Sequence, residues 1–369
     1  MFVTAYYRGA MESLSFRLAR KGRGAASNPP SRYDSAVAAA CDDGWGGLDE
    51  ELPPLRTTVE DDTTRSIIAR NQSPDLPFDR SINPYRGCEH GCVYCFARPT
   101  HAYLGLSPGQ DFETRLFAKP NAAALLDEEL RKPGYRCRVM ALGTNTDPYQ
   151  PIERERRITR EILEVLAAHN HPVGIVTKSH LVTRDIDILG PMAAKRLARV
   201  YLSVTTLDHG LARTLEPRAA TPARRLAAIK ALSDAGIPTG VAVAPVIPAI
   251  NDAEIEDILA AAAAAGASSA LYLLLRLPLE VKDLFREWLA VHAPLKAGHV
   301  MSLVRGMRGG RDYDAQWHKR MTGTGPYAEL IARRFDLAVG RLGLGVRDWS
   351  LDTSLFSPPP RRGDQLALL

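Results

Sequence analysis

From about residue 75 the chain alternates short apolar runs with longer segments of mixed polarity. The runs predict strands at Ser81–Tyr85, Arg138–Gly143, Val173–Thr177, Val200–Thr205, Thr239–Ala244 and Ala270–Leu275. Between them, amphipathic or alanine-rich stretches predict helices near 119–131, 156–168, 184–196, 222–235, 253–265 and 279–291. Thr221-Pro222 reads as a helix cap followed by proline at the first helical position, and Gly236 as the stop. Strand and helix in strict alternation argue for parallel βαβ units, hence an α/β fold. His299–Arg305 reads as one further strand, giving a C-terminal α/β extension over 299–349.

The flanks lack this pattern. Residues 1–75 are basic at first (Arg17, Arg20, Lys21, Arg23), then acidic (Asp42, Asp43, Asp49, Glu50, Glu51, Glu60, Asp61, Asp62). Pro and Gly interrupt them often, so an irregular extension with little regular structure before Thr64 is expected. Residues 350–369 form a Pro-rich tail, which leaves 76–298 as the central domain.

Composition narrows the class. With 369 residues, 45% of them apolar and 24% charged, the chain has ample core for a globular protein. No stretch reaches the roughly 18 apolar residues of a membrane span, and no apolar leader with a cleavage site opens the chain. Five cysteines, an odd number, argue against a secreted disulfide framework and for a reducing cytoplasm. A net charge of +5 permits an acidic partner without requiring one.

The chemistry concentrates in Tyr85-Arg86-Gly87-Cys88-Glu89-His90-Gly91-Cys92-Val93-Tyr94-Cys95. Three cysteines spaced C-x3-C-x2-C share one glycine-containing loop, with no fourth nearby. Thiolates suit zinc or iron–sulfur clusters, and a closed site of either kind needs four ligands. His90 or His101 would complete a Cys3His zinc site, the reading in which the protein is a non-catalytic adaptor. The other reading leaves one metal position open for chemistry. In that spacing the chain resembles the radical S-adenosylmethionine (SAM) superfamily.

The resemblance implies a partial (β/α)6 TIM-type barrel, its cysteine loop directly after the first strand. It implies a [4Fe–4S] cluster on Cys88, Cys92 and Cys95, with SAM on the fourth iron. It further implies reductive cleavage of SAM to a 5′-deoxyadenosyl radical that abstracts hydrogen from a substrate. A low-potential electron donor of the flavodoxin or ferredoxin type follows as partner. Barrel chemistry sits at the C-terminal ends of strands. By the same resemblance, Tyr94 packs near the adenine, while Gly143, Thr144, Asn145 and Asp147 at the second strand end meet the SAM amino group. Ser203 and Thr205 at the fourth strand end lie near the ribose. Arg218 offers a cation for the SAM carboxylate, and Val246 and Ile247 form an apolar wall for the adenine. Each has a plain structural alternative: a turn at Asp147-Pro148, a loop salt bridge at Arg218, a proline-stiffened loop around Val246. Lys178, at the third strand end, is a conceivable Schiff-base lysine.

A narrower resemblance covers about Arg80 to the end. Ser81-Ile82-Asn83-Pro84-Tyr85-Arg86-Gly87-Cys88, Glu216-Pro217-Arg218 and Ala244-Pro245-Val246-Ile247-Pro248 look like the spore photoproduct lyase-related group, mostly of unassigned substrate. Spore photoproduct lyase quenches its product radical with a cysteine at the second strand end. Here that position reads Gly143-Thr144-Asn145-Thr146, without a thiol, and Cys137 falls at the opposite end of the strand. Cys41 and Cys137 alone remain for a second cluster, too few for an all-Cys one. Gly306–Tyr313 and Trp317-His318-Lys319-Arg320 combine aromatic and cationic groups, which suits a nucleic acid and equally a solvated face. Gln365-Leu366-Ala367-Leu368-Leu369 resembles the peptide by which bacterial repair proteins dock on the DNA sliding clamp. A nucleic-acid substrate is therefore the leading expectation, and a protein or small metabolite the alternative.

Overall fold

The computed structural model describes residues 22–34, 55–345 and 350–360. Its strands are β1 (Thr58–Asp61), β2 (Ile68–Arg70), β3 (Arg80–Ile82), β4 (Tyr85–Arg86) and β5 (Arg115–Ala118), followed by β6 (Met140–Leu142), β7 (Val173–Thr177), β8 (Ala198–Ser203), β9 (Thr239–Val246) and β10 (Ser269–Leu274). The helices that matter here are α1 (Ala122–Leu130), α2 (Ile158–Ala168), α3 (Ile186–Ala194), α4 (Pro222–Asp234), α5 (Ile255–Ala264), α6 (Val281–His292), α7 (Ala297–Gly306) and α8 (Pro326–Leu342).

The main sheet runs β10-β9-β8-β7-β6-β3-β2. Its first six strands are parallel, and β2 is added antiparallel to β3 at the edge. The two outer strands do not pair, so the sheet stays open and forms a partial (β/α)6 barrel. Residues such as Val173, Ile175, Val200, Leu202, Val241 and Val243 are sealed from water because helices cover the sheet. The helices follow from sequence in the ordinary way. Ile158, Ile162, Leu163 and Leu166 of α2 recur at helical spacing and are all buried. Thr221 caps α4 by accepting from the Arg224 N–H, Pro222 follows it, and Gly236 lies just past its end at φ 73°.

Three expectations need correction. The first strand stops at Ile82 rather than Tyr85, because Pro84 brings no N–H to a ladder. Beyond it, Tyr85-Arg86 pairs with β5 in a separate sheet of order β1-β5-β4. Regular structure begins before Thr64, since β1 lies parallel to β5 from Thr58. His299–Arg305 is part of helix α7 and not a strand: Val300, Met301 and Val304 are buried while Ser302 faces water, a helical rather than an alternating pattern. The described part of the C-terminal extension is thus helical. Cys41 and Gln365–Leu369 lie outside the described residues.

Helix α8 packs on α5, with Arg334 bridging to Glu256 at 2.8 Å and Phe335 against Tyr272. Helices α6 and α7 behave differently. Phe285, Trp288, Leu289, Val300, Met301 and Val304 join one apolar cluster with Cys92, Val93, Tyr94 and Ile247. The C-terminal helices thereby form a wall of the cysteine loop. No helix among the described residues is long and apolar enough to cross a membrane.

Candidate cofactor site

The cysteine loop is shaped by two left-handed glycines, Gly87 at φ 73° and Gly91 at φ 69°. A Cβ at Gly87 would come within 2.7 Å of Leu116, so the turn admits no side chain. Arg98, fully buried, ties the loop down from inside. It donates to the carbonyl oxygens of Gly91, Cys92, Pro108 and Gly109 and pairs with Glu113 at 2.5 Å. Glu113 in turn accepts from the backbone N–H groups of Gly24 at 2.9 Å and Ala25 at 2.8 Å. Residues 22–34 are therefore a strap laid against the loop. A Cβ on Gly24 would approach the Gly91 carbonyl oxygen to 1.7 Å. The strap continues to α6 and its approach, where Ser27 donates to Glu287 at 2.6 Å and Arg32 pairs with Glu280 at 2.8 Å.

Cys88, Cys92 and Cys95 are free thiols, the first two buried and the third partly so. Burial pushes all three up in pKa, while Lys178 opposes it at Cys92 and Arg98 and Lys178 oppose it at Cys95. Metal must therefore displace protons here, and nearby cations favour the thiolates. The donor set fits an iron–sulfur cluster, three soft ligands on one loop and none of them in a disulfide. Each histidine that a zinc site would recruit has a partner on one ring nitrogen, while Nδ1 of His101 is buried without one. His101 Nε2 lies 2.9 Å from the Arg115 carbonyl, and His90 Nδ1 lies 3.4 Å from Asp147. Among the described residues no three Cys, His, Asp or Glu groups converge on a single ion position.

At the end of β6, Gly143 adopts φ 85°, and a Cβ there would meet the Val176 carbonyl at 1.9 Å. Thr144 and Asn145 are half-exposed, and the Asn145 N–H donates to Asn83 Oδ1 at 3.2 Å. Asp147 is already engaged. Its carboxylate accepts from Thr177 Oγ1 at 2.7 Å, Lys178 N at 2.8 Å and Tyr149 N at 2.9 Å. Burial would raise its pKa, but His90 and these donors outweigh burial and hold it below the usual range. Asp147 thus clamps the ends of β6 and β7 and steadies His90 of the cysteine loop.

The next two strand ends meet on a residue that the sequence offers only as the first of the Glu216-Pro217-Arg218 run. Glu216 is fully buried, pairs with Arg225, and stands 3.1 Å from Lys178 Nζ. The hydroxyls of Tyr94 and Thr205 also donate to it, the latter at 2.5 Å. Lys178 further donates to Ser203 Oγ at 2.6 Å and to the Ala244 carbonyl at 3.1 Å, so its amine is engaged on several sides. Tyr94, Ser203 and Thr205 are brought together; Arg218 is not among them. It stands 41% exposed and pairs with Glu89 at 2.7 Å. The signal for Glu216 was its place in Leu215-Glu216-Pro217-Arg218, where a carboxylate follows a buried leucine. Val246 and Ile247 are buried, and Ile247 packs with Cys92 and Tyr94. Asn251 fixes that segment, accepting from Ile247 N at 2.6 Å and donating to the carbonyls of Thr205 and Pro245. Cys137 lies at the other face, lining a cavity of about 600 Å³ with Asn71, Phe78 and Arg138. Burial lifts its pKa to about 11.

Known proteins resemble the chain in sequence and in fold. The chain is 40% identical over 242 residues to an uncharacterized protein of Mycobacterium tuberculosis, a match covering 64% of this chain and 71% of that one. A protein of Methanocaldococcus jannaschii, also uncharacterized, is 28% identical over 173 residues, 47% of this chain and 62% of its own. Among solved structures, a point mutant of spore photoproduct lyase superposes with a TM-score of 0.53 at 15% identity, covering 78% of this chain and 79% of that chain. Spore photoproduct lyase complexed with a dinucleoside spore photoproduct gives 0.53 at 14%, covering 77% and 79%. These two share the fold. The Radical SAM superfamily model matches residues 82–262, from the end of β3 through the cysteine loop to α5. A family match over the cysteine loop and the strand ends that surround it makes the chain a member of the radical SAM superfamily, built on the fold of spore photoproduct lyase.

Proposed function

We propose that Cys88, Cys92 and Cys95 hold a [4Fe–4S] cluster and that the protein uses it with SAM to abstract hydrogen from a nucleic-acid substrate. The single observation that carries the cofactor reading is the set of three free, largely buried thiols on one loop. A cluster held by these three residues would supply the electron for reductive cleavage of SAM. The chain's own residues do the rest. Backbone groups of Gly143 and Thr144 with the Asn145 amide receive the SAM amino group, and Asp147 positions that turn. Val246 and Ile247 supply the apolar wall beside Tyr94, and α6 and α7 exclude water from that side. The Lys178–Glu216–Arg225 group holds Ser203 and Thr205 in place near the ribose. The absence of a thiol at the β6 end speaks for a hydrogen economy different from that of spore photoproduct lyase. A flavodoxin- or ferredoxin-type donor supplies the electron, in the cytoplasm.

The test is anaerobic reconstitution with iron and sulfide, followed by assay of 5′-deoxyadenosine under reduction. Cys88→Ala, Cys92→Ala and Cys95→Ala should each lose the cluster's visible absorbance and SAM cleavage, whereas Cys137→Ala keeps both. Loss from Cys137→Ala equal to the others would overturn the ligand set.

A further inference from the structure

Arg276 lies two residues beyond β10, at the same face of the sheet as the cysteine loop. Its guanidinium carbon stands 4.7 Å from the ring centroid of Phe96, the residue after Cys95. The last parallel strand thus reaches across the open side of the barrel to the loop that follows the first. A cation over an aromatic face is held without using its in-plane N–H donors. What those donors do meet is weak: the Tyr313 hydroxyl at 3.5 Å and Met321 Sδ at 3.6 Å. Nε is buried with no partner at all.

A guanidinium has five donors and cannot shed its charge, so an unpaired buried one is costly. Arg276 is itself only partly buried, but four interior arginines avoid this cost: Arg80, Arg98, Arg225 and Arg320 each face a carboxylate. Among the described residues no ion pair involves Arg276. Beside it, Arg308 is buried on two neutral carbonyls, Leu275 at 2.9 Å and Lys319 at 2.7 Å, and adds positive charge. Phe96 remains 42% exposed, and the segment that carries Tyr313 and Met321 exposes Trp317 at 56%.

We infer that Arg276 and the Tyr313 hydroxyl form a subsite for an oxyanion of the substrate, a phosphodiester of a nucleic-acid strand. The guanidinium fork matches phosphate bidentately, and aromatic surface beside it offers a stacking platform for a base. The assignment rests on the radical SAM reading above and adds the contact by which the substrate is held at the barrel mouth.

The test uses full-length, anaerobically reconstituted protein and a short fluorescent single-stranded oligonucleotide read by anisotropy. Arg276→Gln should weaken binding about ten- to a hundredfold and reduce the slope of log affinity against log salt by about 1. Arg276→Lys, which keeps charge but not the fork, should keep the slope and still lose affinity. Thermal melts and iron content equal to wild type identify folded variants, and the lysine variant decides the matter should the glutamine variant fail to fold. Wild-type protein that does not bind the oligonucleotide, or variants that bind it as wild type does, overturn the subsite. Loss of SAM affinity by calorimetry with oligonucleotide affinity intact also overturns it, assigning Arg276 to the SAM carboxylate. Failure of the radical SAM reading shows separately, as wild-type protein that releases no 5′-deoxyadenosine on reduction.

Discussion

Glu216 stays ionised without water because two cations and two hydroxyls surround it. Burial alone would raise its pKa, but Arg225, Lys178 and the Arg225 and Thr205 hydrogen bonds pull it far below 4.5. A depressed folded-state value stabilises the fold fully above the unfolded value of 4.5, and that stability is lost progressively as pH falls from there through the folded value. Glu216→Gln leaves buried Arg225 and half-buried Lys178 without their counter-charge and should cost about 3–5 kcal/mol at neutral pH. Denaturant melts of both proteins from neutral to acid pH should show that gap narrowing below pH 4.5; a constant gap would mean packing, not charge, is lost. The three thiols were legible in the sequence because metal-ligand spacing is local. Glu216 was not, since its partners Tyr94, Lys178, Thr205 and Arg225 come from four separate segments. Arg218, two residues on, is 41% exposed and pairs instead with Glu89, buried in the cysteine loop.

At the scale of elements, apolar periodicity located the parallel strands and their helices, because each buries a regular face. It failed where contacts are not periodic. The strap 22–34 is fixed by backbone N–H groups on Glu113 and by glycine against backbone, neither of which leaves a hydrophobic pattern. Gly24→Ala should therefore push the strap off the Gly91 carbonyl, at a cost of about 1–3 kcal/mol. Reconstituted protein carrying it should lose iron to a chelator several-fold faster than wild type. Gly22→Ala is the control: at φ 79° with nothing within 4 Å of a Cβ, it meets backbone strain but no clash. Equal iron loss from both variants would deny the strap a role in sealing the loop. Helix α7 eluded the reading for a different reason. Seven residues bounded by Gly298 and Gly306 hold too few turns for period two and period 3.6 to be told apart.

For the whole molecule, the family match covers residues 82–262 and leaves both ends of the chain outside it. The tail beyond residue 360 carries the clamp-like Gln365–Leu369 on a Pro-rich tether. If that peptide docks on the sliding clamp, deleting 365–369 should abolish capture of purified clamp in a pull-down and leave reductive SAM cleavage unchanged. Full-length protein that captures no clamp removes this support for a DNA substrate. The wall made by α6 has a consequence for how the protein is born. Trp288 closes over the cysteine loop and donates to the Thr214 carbonyl at 3.0 Å, yet it is translated about 190 residues after Cys95. At roughly 5–20 residues per second, the nascent loop stays uncovered on that side for about 10–40 seconds. If the proposed cluster is loaded during synthesis, that interval is the one in which iron and sulfide would reach the thiols from that side.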